Sequence, residues 1–416
     1  MTPKTAVIAG FDAVSPLGTT LPVQWKRALA GQSGIGPLTR FEYDARFPVR
    51  IAGQVPPFDP SPYPFLSPRA MAHWSSPIFP HALLTVHRAL GSSGIEIDAA
   101  LAPRVAVTFS SAVGGQDAVL AADRKMIAHG KLPHPFTNPN ACINMVGGKV
   151  SMLTGATGPI VSTITACATG LTSMITGAML IGQGMADVAI CGAVDFALVE
   201  PIVAGFFTMN GAFNPRRGQE NEPPHRASRP FSVDRRGFVI SEGAAAVILC
   251  SHDFARAHGL DAKIALAGYA MTSDARHFVA PNLPTVSRCI RESLTAARID
   301  AGQIDAVNAH AASTRVGDRV EYDALAANFG DRIPPVTANK SLIGHAMGAS
   351  SAIESVFAFL GMENNRLLPT RNYSADPEMG LDCAAEGPRR LDQEFVLKNA
   401  FGFGGCNSCA VFQKIA

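Results

Sequence analysis

The sequence predicts an α/β fold built as one body. Three observations carry that reading. Short apolar or β-branched runs alternate with longer segments of helical length along almost the whole chain. The runs that read as strands are nearly free of charge, the pattern of sheets covered on both faces by helices. No linker-like stretch divides the 416 residues into independent domains, although domains of about 150 residues would allow two or three structural units. A chain this long buries about three quarters of the surface its unfolded form exposes. Neither a metal nor a disulfide is needed to hold it.

The elements follow in order. Ala6-Val7-Ile8-Ala9 is a buried strand, closed by the turn residues Ser15-Pro16-Leu17-Gly18. Gln24–Ala30 is a helix ended by Gly31. Residues 37–68 are proline-rich and irregular. Pro80–Leu90 is a helix, Arg104–Phe109 a strand and Gln116–Ala128 a helix. Asn140–Thr154 reads as one helix rich in Gly and Met. Gly158-Pro159 opens a strand over Ile160–Thr165, and a small-residue helix spans Ala168–Gly182. Asp187–Cys191 is a buried strand, and 212–229 is a surface loop of Pro, Arg, Asn and Gly. Strands at Ala244–Cys250 and Ile264–Met271 precede a two-faced helix at Thr285–Ala297. Ala306–Ala309 and Pro335–Ala338 are strands, each followed by a helix, Gly317–Phe329 and Ala346–Leu360. Phe395–Asn399 and Ala410–Phe412 close the chain as strands.

Composition removes several function classes. With 47% apolar residues and a net charge of +2, the chain is not disordered. A balance of 35 basic against 33 acidic side chains lacks the excess a nucleic-acid partner requires. The longest candidate membrane segment, Ala166–Val188, is broken by Thr, Ser, Gly and Asp187, so no span is expected. Met1–Thr5 leads straight into the first strand without the pattern of a signal peptide. The eight cysteines are scattered, and Cys406-Asn407-Ser408-Cys409 has no second pair or flanking His cluster, so no metal site is expected. Reduced thiols and a cytoplasmic location fit that usage. Charged residues make up only 16%, against about 25% in typical domains, which leaves a monomer short of polar cover.

Cys167 is the first chemical candidate. It follows the β-branched run Ile160–Thr165 and sits where a helix of small residues begins. A helix N-terminus favours thiolate, and Ala166, Ala168 and Gly170 leave room for a substrate. A buried core cysteine is the alternative, since free Cys is among the most buried residue types. His310 lies just after a strand in Asn308-Ala309-His310-Ala311-Ala312-Ser313-Thr314. Lys340 and His345 stand five apart in Asn339-Lys340-Ser341-Leu342-Ile343-Gly344-His345. Either histidine alone could equally be structural. Asn399-Ala400-Phe401-Gly402-Phe403-Gly404-Gly405-Cys406-Asn407 is a glycine-rich hinge between two strands; a phosphate cradle would need a following helix, which it lacks.

Together these motifs resemble the β-ketoacyl-acyl carrier protein synthases, in the elongating Cys-His-His branch of the thiolase superfamily. The family pattern has a Cys in T-A-C-x-x-G, then H-G-T-x-T-x-x-G-D, K-S-x-x-G-H-x-x-G-A and N-S-F-G-F-G-G-x-N, and this chain follows it in that order. Arg229-Pro230-Phe231, Asp234-Arg235-Arg236-Gly237-Phe238-Val239 and Glu242-Gly243-Ala244 add further matches. The resemblance implies the thiolase fold: a five-layer αβαβα sandwich of two similar halves, residues 1–255 with the nucleophile and 256–416 with both histidines and the lysine. It implies that Cys167 carries the acyl chain and that His310 and His345 hydrogen-bond the malonyl thioester as CO₂ leaves. Lys340 would orient His310, with Asp318, Glu321 and Glu354 as candidates to balance its charge. The backbone N–H groups of Cys167 and Phe403 would form the oxyanion hole. Phe403 and Phe401 would gate the pocket, with Gly404 and Gly405 giving freedom to swing. Val113, Val279, Ala312, Thr314, Gly404 and Gly405 would contact substrate. No metal or organic cofactor is implied; the phosphopantetheine arm arrives on an acyl carrier protein. The family is normally dimeric, with a like or a homologous subunit.

Departures from the pattern shape the expected function. Ala312 and Val279 replace threonines, Asp195 a glutamate, Cys406 a threonine and Ala400 a serine. Val113 replaces an isoleucine, either widening the acyl tunnel or as a conservative core swap. The expectation is decarboxylative condensation in a specialised polyketide- or polyene-like pathway. The alternatives are housekeeping fatty-acid elongation, a non-elongating partner subunit, or a decarboxylase or hydrolase on the same fold. The low charge then predicts a chain that hides an apolar face against a partner.

Overall fold

The structure, a computed structural model, describes residues 5–214 and 222–415. Nine strands form its main sheet: β1 (Ala6–Val14), β2 (Val105–Val107), β3 (Val188–Phe196), β4 (Glu242–Ser251), β5 (Ile264–Ser273), β6 (Ala306–Asn308), β7 (Val336–Thr337), β8 (Phe395–Gly402) and β9 (Cys406–Lys414). Their spatial order is β2-β3-β4-β1-β5-β9-β8-β6-β7. The pairing is written twice. β1 runs antiparallel to β4, β4 antiparallel to β3, and β3 parallel to β2. In the same way β5 runs antiparallel to β9, β9 antiparallel to β8, and β8 parallel to β6. Each set ends on one more parallel neighbour, Ile160 beside β2 and β7 beside β6. The two sets meet where Ala6–Ile8 pairs with Ile264–Leu266.

Strand alternation then sorts the side chains into layers. Six helices matter: α1 (Ile78–Ser93), α2 (Asn144–Thr154), α3 (Thr169–Gly182), α4 (Leu283–Ala297), α5 (Arg315–Phe329) and α6 (Met347–Asn364). Val7, Val188, Ile190 and Ile248 face α1 and α2. Their neighbours Ile8, Cys191 and Val247 face α3 and α6, as do Leu266, Val396 and Phe412 of the second set. Leu397, Cys409 and Val411 point the other way, onto α4 and α5. The result is the five-layer αβαβα sandwich, with α3 and α6 in the middle.

The middle helices contact protein on nearly every side, and their composition follows from that. Gly170 lets them cross closely, because a Cβ there would lie 2.6 Å from Ala352. Phe359 of α6 bridges the two strand sets, its ring tilted against Phe11 of β1 at 5.5 Å and edge-to-face with Phe412 of β9 at 4.8 Å. Pairs of this kind contribute about 0.5–1.5 kcal/mol each beyond area burial. This middle layer carries only Glu354 and Glu363 as charged residues, and so accounts for part of the low charge without any partner.

Several elements depart from the sequence reading. The strand expected at Ile160–Thr165 is only a bridge from Ile160 to Val107. It lies at the sheet's edge and has a pairing neighbour on one side only. The single helix expected over Asn140–Thr154 breaks between Ala141 and Asn144. The Asn140 side chain accepts from the N–H groups of Ser75 and Ser76 and donates to the carbonyls of His73 and Phe136, which anchors the chain at the break. The helix Glu200–Thr208, opened by Pro201, was not anticipated. Of the loop expected at 212–229, residues 215–221 lie outside the described residues.

Candidate active site

The nucleophile turn comes first. Ala166 adopts φ +47°, a left-handed conformation disfavoured for a residue with a Cβ. The Thr169 hydroxyl holds it there, accepting from the Thr165 N–H at 3.0 Å and donating to the Ala166 carbonyl at 2.7 Å. A 3₁₀ turn over Ala166–Ala168 then hands the chain to α3 and leaves Cys167 buried.

His345 completes the contact. Its N–H donates to the Val239 carbonyl at 2.7 Å, and its own carbonyl accepts from Ser241 at 2.9 Å. The ring thus has a fixed base. Nε2 lies 3.0 Å from Cys167 Sγ, and Nδ1 lies 2.8 Å from Ser350 Oγ. The Phe238 ring packs edge-on against the imidazole at 5.2 Å.

His310 stands beside this pair, its ring centroid 5.7 Å from that of His345. Its loop is strained, with Ala311 at φ +27° and Ser313 at φ +68°. Buried charges hold it. Glu321 accepts from the His310 N–H at 2.8 Å and the Ala311 N–H at 2.7 Å. Lys340 Nζ donates to the His310 carbonyl at 2.5 Å and to Glu354 Oε1 at 2.5 Å. The other Glu354 oxygen accepts from Lys398 Nζ at 2.7 Å. Isolated charges would be very costly at this depth; here two cations face two carboxylates.

Burial sets the protonation of the site. It pushes both histidines well below the usual imidazole range, with the Lys340 ammonium adding to it, so both rings are neutral. Burial also pushes the Cys167 thiol up to about 12, opposed by Lys340 and by backbone N–H groups of Phe403 and Cys167. Burial thus works against the thiolate that the helix start favours. Desolvation outweighs the helix end, and the thiol needs a base. His345 is in hydrogen-bond contact to serve as one.

The glycine-rich hinge is the β8–β9 hairpin turn. Gly402 lies against the nucleophile turn, since a Cβ there would sit 2.2 Å from the Thr165 carbonyl oxygen. Gly404 and Gly405 adopt φ +83° and +72°. The turn is tied down by the Gly404 N–H to the Phe278 carbonyl and by Asn407 Nδ2 to Asp274, each at 2.7 Å.

A cavity of about 750 Å³ opens onto these groups. Cys167, His310, His345, Phe401, Phe403, Val279, Ala312, Thr314 and Gly405 all reach its wall. Gly404 does not, and neither does Val113, which packs in the apolar cluster of Ala312, Met347 and Phe238 behind the wall. The Thr314 hydroxyl accepts from the Gly317 N–H as the cap of α5. Of the three carboxylates considered for Lys340, Glu354 pairs with it directly. Glu321 holds the His310 loop instead. Asp318 is buried and accepts from the N–H groups of Phe231 and Thr314, so it secures a loop rather than the lysine.

Sequence reasoning missed Lys398, although a lone cation in the strand Phe395–Gly402 is a visible anomaly. It noted Asp195 only as a substitution. That carboxylate is buried and accepts from Ser111 Oγ, from the Val113 N–H and from the Gly348 N–H at 2.7 Å, joining the loop after β2 to the start of α6. Among the described residues no cluster of His, Cys, Asp and Glu is arranged to hold a metal ion, and no helix is long and apolar enough to cross a membrane.

Comparison with known proteins agrees with this geometry. Residues 4–255 match the Beta-ketoacyl synthase, N-terminal domain, and residues 264–374 match the Beta-ketoacyl synthase, C-terminal domain. The chain belongs to the β-ketoacyl synthase family. The 3-oxoacyl-(acyl-carrier-protein) synthase 2 of Coxiella burnetii is 34% identical over 428 residues, covering 100% of both chains. That of Vibrio harveyi is 32% identical with the same coverage. Among solved structures, a β-ketoacyl synthase from Burkholderia phymatum superposes with a TM-score of 0.91 at 29% identity, over 99% of this chain and 100% of the other. The ishigamide ketosynthase/chain length factor gives 0.90 at 28% identity, over 100% of both chains. The ketosynthase is thus a C–C bond-forming acyltransferase on the thiolase fold.

Proposed function

We propose that this ketosynthase uses Cys167, His345, His310 and Lys340 to join an acyl chain to a malonyl unit, both delivered on a carrier protein. The contact of Cys167 Sγ with His345 Nε2 at 3.0 Å carries the reading. In the first half-reaction the thiol gives its proton to Nε2 while Nδ1–H donates to Ser350, and sulfur attacks the acyl thioester. The oxyanion forms between the N–H groups of Cys167 and Phe403; one such donor is worth roughly 3–4 kcal/mol. The carrier thiol leaves with the proton from His345. In the second half-reaction the C–C bond to the malonyl carboxylate breaks and CO₂ departs. The electron pair moves onto the thioester oxygen, where the neutral imidazoles donate hydrogen bonds, His310 directly and His345 from Nε2 in its other tautomer, with the Ser350 hydroxyl then donating to Nδ1. The enolate carbon then attacks the acyl carbonyl, the Cys167–acyl bond breaks to release the thiolate, and a proton taken up from solvent through His345 restores the thiol.

The pantetheine arm of the carrier protein is the group that enters; no resident cofactor has a role in this scheme. The two halves meet near residues 255 and 256, and the location is cytoplasmic. A homologous or identical subunit covers the edge segment at 160–164. Ile160 and Ile164 are exposed there, and the hydroxyls of Ser162 and Thr163 are buried without a partner among the described residues. Ala312 and Val279 bring methyl groups, not hydroxyls, to the cavity wall, which favours a specialised polyketide-like pathway over housekeeping elongation.

The test mixes the protein with acyl- and malonyl-carrier protein and reads the products by mass spectrometry. A β-ketoacyl product that vanishes in Cys167→Ala is expected. Condensation that survives in Cys167→Ala refutes the assignment. Only acetyl-carrier product from the intact protein would make it a decarboxylase. Full complementation of a housekeeping synthase with an unchanged acyl profile would remove the specialised pathway.

A further inference from the structure

Lys398 is a fully buried ammonium that the reaction scheme above does not use. It stands on β8, ahead of Phe401 and Phe403 on the same hairpin. Its Nζ donates to Glu354 Oε2 at 2.7 Å and to the Asn399 carbonyl at 2.9 Å. The side chain of Asn399 donates to Glu321 at 3.1 Å. Two adjacent residues of β8 thus reach both sides of the His310 backbone. Lys398 reaches the His310 carbonyl through Glu354 and Lys340. Asn399 reaches the His310 N–H through Glu321.

We propose that Lys398 is a positioning residue for the malonyl step, acting on His310 through the shared carboxylate Glu354. Two effects combine. By holding Oε2, Lys398 leaves Glu354 only one oxygen for Lys340, so the Lys340 ammonium keeps its bond to the His310 carbonyl. Without Lys398, Glu354 is free to turn both oxygens to Lys340 and draw it from that bond. Lys398 also adds positive potential behind the imidazole. The groups that face His310 are Lys340, Glu354 on α6, Lys398 on β8, Glu321 and Asp318 on α5, and His345 and Cys167 across the cavity. Burial is the main force holding the imidazole neutral; Lys340, His345 and Lys398 each act in the same direction.

The inference rests on His310 serving the malonyl step, so one assay measures both. Malonyl-carrier decarboxylation is followed against pH in the full-length protein, alongside acylation of Cys167 by acyl-carrier protein. His310→Ala should lose decarboxylation; if it does not, the reading of His310 fails whatever Lys398 does. Lys398→Met and Lys398→Gln should lower decarboxylation several-fold and move its acid limb to higher pH, while Cys167 acylation changes little. Lys398→Arg keeps the charge and should keep the acid limb in place, even where packing lowers the rate. An unmoved limb in the Met and Gln variants overturns the proposal. So does failure of both to fold while Lys398→Arg folds, which would assign Lys398 to stability alone.

Discussion

Replacing Gly402 by alanine should cripple the enzyme without unfolding it. The backbone there is not left-handed, so alanine is conformationally acceptable, and the effect is steric. The new Cβ would sit 2.2 Å from the Thr165 carbonyl oxygen and 3.2 Å from the Cys167 nitrogen. Real Cβ contacts are essentially never closer than 3.0 Å, so the hairpin must move off the nucleophile turn by at least 0.8 Å, the difference between the two figures. The obstacle is backbone, which cannot swing aside as a side chain can. The Phe403 N–H is one residue away and aims at the sulfur. A displacement of about 1 Å in a reacting geometry costs about 100-fold in rate, or about 2.7 kcal/mol of barrier. Rapid-quench acylation of Cys167, with the released carrier thiol counted, measures this directly. The thermal midpoint should fall only modestly, because the contact lies at the tip of a hairpin whose ladder remains paired. Acylation within threefold of the parent rate would refute the inference that this close approach aligns the oxyanion hole.

Further outcomes follow from the charges and edges. Because burial keeps His310 and His345 neutral, decarboxylation should be flat through neutral pH and fail only in acid; Lys340→Met should move that acid limb upward, and rate profiles of both proteins check it. The unfolded chain takes up these protons at the ordinary histidine pKa of about 6.5, so stability should fall as pH drops below that value, as denaturant titrations at several pH values would show. Burial raises Asp12 to about 7. A folded pKa above the unfolded value costs stability as pH rises through that window, so Asp12→Asn should gain on the parent from about pH 4 to pH 7; a constant difference in melting midpoint would contradict this. Glu354→Ala leaves Lys340 and Lys398 facing one another without their shared partner and should cost about 3–5 kcal/mol in denaturant unfolding. The pair Ile160→Asp and Ile164→Asp should yield monomers in sedimentation; an unchanged assembly would move the interface elsewhere.

How far the sequence led can be judged residue by residue. Cys167, His345 and His310 were visible because each stands in a small-residue turn at an element boundary, where local pattern is strongest. Their convergence was not visible, since Cys167 and His345 are 178 residues apart and meet only when α3 and α6 share the middle layer. The layers themselves were implied by uncharged strands, yet the edge at Ile160–Thr165 misled. Its β-branched residues fit a ladder for which the isolated chain supplies one neighbour. The burial that opposes the thiolate was hidden for a related reason. A turn at a helix start is legible, but the desolvation of its side chain depends on distant walls. Asp318 and Glu321 were read as candidates to balance Lys340, and that they secure loops instead was not visible, because the loops they hold come from residues 229–231 and 310–314.

The position of the two middle helices has a consequence for how such a site can change. Both begin at the reacting groups and run between the two strand sets, buried along most of their length and reaching solvent only in the last turn, so most substitutions along them disturb both strand sets at once. The cavity's other side is made of 209–214, 279–281 and 312–317, which lie outside the strands and the middle helices. The chemistry is thus built into the least editable part of the molecule, and selectivity into the most editable. Variation in what this enzyme accepts should accumulate in those three segments, while residues 167–182 and 345–364 stay nearly fixed.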